Sequence, residues 1–250
     1  MSAGFADHFS ARAADYSAFR PHYPDALFTR LAAETRERRL AWDVGTGSGQ
    51  ALAGLRPHFA QVVASDASLA QLGEARHLGH EGLIAARAER APLPASSVDL
   101  VTVAQALHWF DLPAFFAEVA RVLKPGGVLA AWTYNLFAIT PAVDAELGRF
   151  YAEEVGAWWP ADRRHVENAY ADIALPWGGG ARCALEMRAA WSMAQVLDYV
   201  ATWSAVTRCR RATGVDPMPG LAARVEGAWG AAATREVNWP LTLLLARNPG

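Results

Sequence analysis

Five short apolar runs, each closed by polar or glycine residues, punctuate the first half of the chain: Leu40 to Val44, Val62 to Ala64, Leu83 to Ala86, Val98 to Ala104 and Val128 to Trp132. Unbroken apolarity, as opposed to alternation, marks strands buried on both faces, so these runs predict a parallel sheet covered on each side. Helix-length stretches separate them at Gln50 to Arg56, Leu69 to Gly79 and Leu112 to Leu123; the last sets Phe115, Phe116, Val119, Val122 and Leu123 on one face. Pro24 suits the first position of an earlier helix, with Leu27, Phe28 and Leu31 at helical spacing. Strand alternating with helix predicts a doubly wound α/β fold.

The alternation stops after Asn135. Residues 136–182 carry acidic and aromatic helix-like material ending in Gly178-Gly179-Gly180, and are read as a helical cap insertion. A strand near Ala184 to Trp191 follows, then a helix carrying Met193, Val196, Leu197, Val200 and Trp203, a Pro/Gly loop at Pro217 to Gly220, a helix through Trp229 and a last strand at Val237 to Ala246. Residues 1–23 form an aromatic-rich arm, with Phe5, Phe9, Tyr16, Phe19 and Tyr23 interleaved with Arg12 and Arg20. Residues 24–250 read as one domain.

Composition narrows the function classes. The 250 residues are 52% hydrophobic and 19% charged, enough to bury a large core and too apolar for a disordered chain. Lys+Arg 23 against Asp+Glu 25 leaves a net charge of −2, so no general basic field exists for nucleic acid or an anionic membrane. Cys183 and Cys209 show no paired spacing for zinc and point to a reducing compartment. No signal peptide and no apolar run of membrane-spanning length is visible, so a soluble cytoplasmic protein, monomer or homodimer, is expected.

Chemistry concentrates at Asp43-Val44-Gly45-Thr46-Gly47-Ser48-Gly49-Gln50, which joins the first strand to a helix. Glycines at 45, 47 and 49 let a ligand rest on bare backbone, with unpaired N–H groups of the helix start behind it. A dinucleotide loop of the G-x-G-x-x-G kind needs glycine at 50, where Gln50 stands. Asp43 at the mouth repels phosphate and attracts an ammonium group, which favours a nucleoside bearing an amino acid. Asp66 ends the second strand about 20 residues beyond the loop, where a carboxylate grips ribose hydroxyls.

With Asp43 to Gly49, the strand-end Asp66 and Leu123-Lys124-Pro125-Gly126-Gly127, the chain resembles the class I S-adenosylmethionine-dependent methyltransferases. Tyr16, Arg20-Pro21-His22-Tyr23-Pro24, Gln105-Ala106-Leu107-His108-Trp109-Phe110 and Thr202-Trp203-Ser204 look like the subgroup of trans-aconitate methyltransferase-like enzymes. The resemblance implies a Rossmann-like sheet of seven strands in the order 3-2-1-4-5-7-6, the last antiparallel, and S-adenosylmethionine as cofactor. It implies that Asp43, Gly45, Thr46, Gly47 and Gly49 hold the methionine part and Asp66 the ribose. Ala67, Ala88 and Glu89 would meet the adenine, and Gln105 and Ala106 would line the methyl end. Position 67 is often larger in relatives, so stacking by Ala67 is thin. The arm would fold over the donor as a lid.

Methyl transfer from a sulfonium needs mainly alignment, with no metal and no covalent nucleophile. A base is required only for a protonated acceptor such as a phenol or hydroxyl; a carboxylate acceptor is already ionised. His108, directly after the fourth strand, is the polar candidate, either as a base or as a contact that moves no proton. Trp109 and Phe110 supply an apolar wall. Tyr16 and Arg20 suit a carboxylate. Seven of the ten tryptophans follow Asn135 and offer an aromatic roof for a small-molecule acceptor, Trp203 with Ser204 first and Trp158 with Trp159 second. Arg163-Arg164-His165 reads as a solvated face. Transfer to oxygen of a carboxylate or hydroxyl leads; transfer to carbon or nitrogen of a larger apolar metabolite, a dinucleotide oxidoreductase, and a non-catalytic binding protein remain as alternatives.

Overall fold

The computed structural model describes residues 20–178 and 180–250. Tyr16 and nearly all of the proposed arm lie outside them. Seven strands form one sheet in the order β3-β2-β1-β4-β5-β7-β6, as expected: β1 Leu40–Val44, β2 Gln61–Asp66, β3 Leu83–Ala85, β4 Val98–Ala104, β5 Leu123–Tyr134, β6 Ala181–Trp191 and β7 Arg235–Arg247. Strands β1 to β5 pair in parallel, and β7 runs antiparallel to both β5 and β6.

Side chains along β5 alternate between two cores. Val128, Ala130, Trp132 and Tyr134 join one apolar cluster, while Leu129 and Ala131 join the other. The first is covered by α1 (Asp25–Glu34) through Leu27, Phe28 and Leu31. On the second face, α4 (Leu112–Val122) buries Phe115, Val119 and Val122. Of the remaining helices, α2 is Leu52–Leu55, α3 Leu69–His77, α5 Pro141–Arg149, α6 Arg163–Glu167, α7 Met193–Ala201, α8 Ser204–Thr213 and α9 Met218–Trp229.

Three expectations change. The helix expected over Gln50 to Arg56 is only the four residues of α2: the glycine loop keeps turning as far as Ala51, and Pro57 disfavours helix at the residue before it. The single helix through Trp203 is two, because Trp203 adopts an extended backbone (ψ 137°) that ends one helix and opens α8. Pro217 to Gly220 is no loop, since Pro217 caps α9 and Pro219 occupies its first turn, where a missing N–H costs nothing. Between β5 and β6, α5, a π-helical turn at Phe150–Glu154, a 3₁₀ turn at Gly156–Trp158 and α6 occupy the region read as a cap.

Lys124, the only lysine in the chain, makes a structural contact. Its ammonium lies 2.5 Å from Asp99 Oδ1, while Asp99 Oδ2 accepts from the backbone N–H groups of Arg39 and Leu40 at 2.9 Å. Asp99 is buried, so removing its cation leaves a charge short of compensation. Lys124→Met is expected to lower unfolding stability by about 1–3 kcal/mol, read from urea denaturation, with the affinity for S-adenosylhomocysteine unchanged.

Candidate active site

The glycine loop follows β1 at its carboxyl end, beside the ends of the neighbouring strands β2 and β4, where open α/β sheets bind their ligands. Gly45, Gly47 and Gly49 all take positive φ, at 64°, 58° and 89°. They differ in what surrounds them. A Cβ on Gly45 would stand 2.8 Å from the Ala106 Cβ and 3.0 Å from Phe110, whereas on Gly47 it would meet only Gln71 at 3.7 Å. Gly45 is thus where the loop presses against the segment that follows β4. Loop backbone is tied down by Thr46 N–H to Ser65 O at 3.0 Å and Gly49 N–H to Thr46 O at 2.9 Å. Because α2 is so short, the cradle is made by the loop and owes little to a helix dipole.

Asp43 is wholly buried, and its Oδ1 accepts from the Thr102 hydroxyl at 2.7 Å. Its Oδ2 receives no hydrogen bond of ordinary geometry. Burial pushes the carboxyl up to about 6, against the opposing influence of the Thr46 and Thr102 hydroxyls and with a smaller push from Asp66. An unsatisfied buried carboxylate oxygen beside a bare backbone cradle fits a cationic ammonium group. Asp66 is held by two backbone donors, Gly47 N–H on Oδ2 at 2.9 Å and Ser68 N–H on Oδ1 at 2.8 Å, which fix its carboxylate. Ala67 is exposed next to it and Ala88 is buried. Glu89 accepts from Asp111 N–H at 3.1 Å, pairs with Arg87 at 3.1 Å and borders a shallow concavity with Ala85 and Ala86.

A second cavity lies across the Gln105–Phe110 segment. Arg20, Gln105, His108, Trp109, Trp203 and Ser204, all singled out from the sequence, line it. Gln105 holds a positive φ of 55°, a sparsely populated conformation for a side-chain-bearing residue. It is fixed there by its Nε2 donating to Tyr134 O at 2.8 Å and its Oε1 accepting from Thr133 at 2.6 Å. Ala106 does not line this cavity and instead packs beneath Gly45. Arg20 Nη1 reaches the Tyr134 hydroxyl at 3.4 Å, and its guanidinium lies over the Tyr199 ring at 5.3 Å.

His108 sits in a 3₁₀ turn, Leu107–Trp109, with Nδ1 2.9 Å from the Tyr170 hydroxyl and its ring beside Trp109. Enclosure pushes the imidazole down to about 3, helped by the positive charge of Arg163 and by His165. Asp111, the nearest acid in the chain, serves as the cap of α4, accepting from Ala114 N–H at 3.3 Å. His108 is therefore a neutral imidazole with no carboxylate behind it. In a nuclear magnetic resonance titration its ring carbon shifts are expected to stay flat between pH 5 and 8, where an ordinary histidine turns over.

Six lining residues escaped the sequence reading: Tyr134, Asn135, Leu136, Pro160, Arg163 and Tyr199. Arg163, taken there for a solvated face, borders the cavity, and Tyr199 forms part of its wall. Arg164 beside it is exposed, so no local pattern separates the two arginines. Trp159 lines the cavity as expected of the second aromatic pair; Trp158 does not.

A methyltransferase domain family model matches residues 42–131, the span from β1 through most of β5. A Dictyostelium discoideum protein assigned by name as a methyltransferase is 32% identical over 97% of this chain and 95% of its own length. The chain is a class I S-adenosylmethionine-dependent methyltransferase. A solved structure from Anaeromyxobacter dehalogenans, described as a type II methyltransferase, is 42% identical, covers 92% of this chain and 98% of that one, and superposes with a TM-score of 0.83. A Saccharomyces cerevisiae protein named as an S-adenosylmethionine-dependent methyltransferase is 30% identical over 48% of this chain and 45% of its own. Its cofactor is S-adenosylmethionine. Among the described residues of this methyltransferase no helix is long and apolar enough to cross a membrane.

Proposed function

We propose that this methyltransferase esterifies a small-molecule acid, transferring methyl to a carboxylate oxygen. The observation that carries the reading is the neutral, weakly basic His108 in a cavity with two guanidinium groups, Arg20 and Arg163, and no acidic residue among its described lining. A base whose conjugate acid ionises near 3 faces a cost of roughly 10 kcal/mol in taking a proton from a phenol. An acceptor that arrives already ionised avoids that step, and the Arg163 guanidinium on the cavity wall attracts it.

The chain's own residues divide the work. Asp43 would hold the donor's ammonium, with the backbone of Gly45, Thr46, Gly47 and Gly49 against its methionine part. Asp66 would take the ribose hydroxyls, and Ala67, Ala88 and Glu89 the adenine. Bound S-adenosylmethionine supplies a methyl group already activated on a sulfonium. Gln105 and Ala106 form the boundary between glycine loop and cavity. Gln105 stays rigid through its two bonds to β5, which suits a positioning role. His108, Trp109 and Trp203 enclose the acceptor and exclude water, and Ser204 adds a hydroxyl at the cavity wall.

The test is the pH dependence of turnover at saturating donor and acceptor. For a carboxylate acceptor kcat should be level from about pH 6 to 9, and His108→Ala should keep kcat within about tenfold of the parent. A kcat that climbs tenfold per pH unit, or a loss in His108→Ala of more than about 10²-fold, would show that a proton is being removed and refute the reading.

A further inference from the structure

Arg163 stands out in the cavity because its surroundings orient its charge without cancelling it. Its guanidinium carbon lies 4.6 Å from the Trp159 ring centre and 5.7 Å from that of Tyr151. Nε donates to the Tyr151 hydroxyl at 3.1 Å and Nη2 to Asn135 Oδ1 at 2.5 Å. Tyr151 in turn donates to Glu167 at 2.5 Å. Arg163 takes part in no ion pair among the described residues, and Nη1 has no hydrogen-bond partner there. Other arginines near this region behave differently: Arg149 and Arg224 are both paired with Glu146 and Glu154.

A half-buried guanidinium that is stacked, aligned by neutral groups and left unneutralised is preorganised for an anion, since little side-chain freedom remains to be lost on binding. Its position decides which anion. Arg163 borders the same cavity as His108 and Gln105, whereas the glycine loop, to which the proposed function assigns the donor's methionine part, packs on Ala106, which does not line that cavity.

We infer that Arg163 is the residue that selects the acceptor, binding an anionic carboxylate group of it through the free edge of the guanidinium against the Trp159 and Tyr151 rings. This rests on the esterification reading and adds to it a specificity-determining side chain that local sequence does not reveal. The contact is strongest before transfer, because the carboxylate loses its negative charge as the methyl arrives, so losing Arg163 raises KM without lowering kcat.

The experiment measures labelled-methyl transfer to a panel of aliphatic and aromatic carboxylic acids by the parent enzyme, R163Q and R163K, with S-adenosylhomocysteine affinity measured by calorimetry on each protein. Expected for R163Q is a rise of 10- to 100-fold in KM for the acid, kcat within threefold, and unchanged S-adenosylhomocysteine affinity. R163K, which keeps the charge and loses the planar fork, should fall between. The His108 ring should also titrate at higher pH in R163Q, because a neighbouring cation is gone, a change that loss of packing alone does not produce. An unchanged KM in R163Q that still binds S-adenosylhomocysteine overturns the inference and leaves esterification standing. If R163Q no longer binds S-adenosylhomocysteine, R163K decides: a KM raised at least threefold supports the assignment and an unchanged KM overturns it. A parent enzyme that methylates no acid on the panel but does methylate phenols or amines removes the esterification reading itself.

Discussion

Asp43→Asn is expected to weaken S-adenosylhomocysteine binding by about 10²-fold or more at pH 7.5 while leaving the unliganded protein at least as stable as the parent. The two halves of this result have one cause. Asp43 is buried with one oxygen unsatisfied, and burial raises its carboxyl from 3.8 to about 6. A group whose ionisation is raised on folding adds stability at low pH that is lost as pH climbs through its folded value. In the unliganded protein this carboxylate is thus a burden of about 3 kcal/mol above pH 6. On the proposed function a donor ammonium would turn the burden into a buried ion pair, and deleting one partner of such a pair costs about 3–5 kcal/mol. Asparagine removes the burden and the pair together. The same linkage sets a pH dependence in the parent: affinity level above about pH 6.5 and falling toward tenfold per pH unit below 6, with a larger thermal shift on ligand addition at pH 7.5 than at 5. Calorimetry and thermal unfolding at those two pH values check both statements. An Asp43→Asn protein that binds normally but unfolds more easily would mean that the carboxylate is structural.

Gly45→Ala should lower unfolding stability by about 2–4 kcal/mol and abolish measurable S-adenosylhomocysteine binding, whereas Gly47→Ala should cost only about 1–2 kcal/mol. Both positions force a side chain into the left-handed region, at φ 64° and 58°. Only at Gly45 does the added carbon also collide, 2.8 Å from the Ala106 Cβ and 3.0 Å from Phe110, groups with no flexible end to swing away. Relief requires the glycine loop and the Gln105–Phe110 segment to part, and on the proposed function that seam would lie between donor and acceptor. Urea denaturation of the two variants side by side gives the difference. Equal stabilities would mean that the seam is loose.

Features carried by contiguous residues were legible before any coordinates. The strand-acid-glycine run at Asp43 to Gly49 and the strand-end Asp66 depend on spacing within a few residues; the alternation gave a doubly wound sheet, and the strand order came from the family resemblance. Helix breaks were harder: Trp203 looks like one more apolar position at helical spacing, yet its extended backbone splits α7 from α8 and carries Trp203 and Ser204 to the cavity wall. Least legible was charge in context. Arg163 differs from exposed Arg164 only through Asn135, Tyr151 and Trp159, which the fold brings to it from 28, 12 and 4 residues away. His108 was found by its place after β4, but its depressed basicity comes from enclosure and from Arg163, neither visible in its neighbours along the chain.

The central claim is that the acceptor atom is a carboxylate oxygen, and the measurement closest to it is the chemical form of the product. Enzyme supplied with donor labelled in the transferable methyl group and with the carboxylic acid panel should yield label that is released as methanol by mild alkali, the behaviour of a methyl ester. Label that survives alkali, as in an aryl ether, an N-methyl or a C-methyl product, would contradict the account.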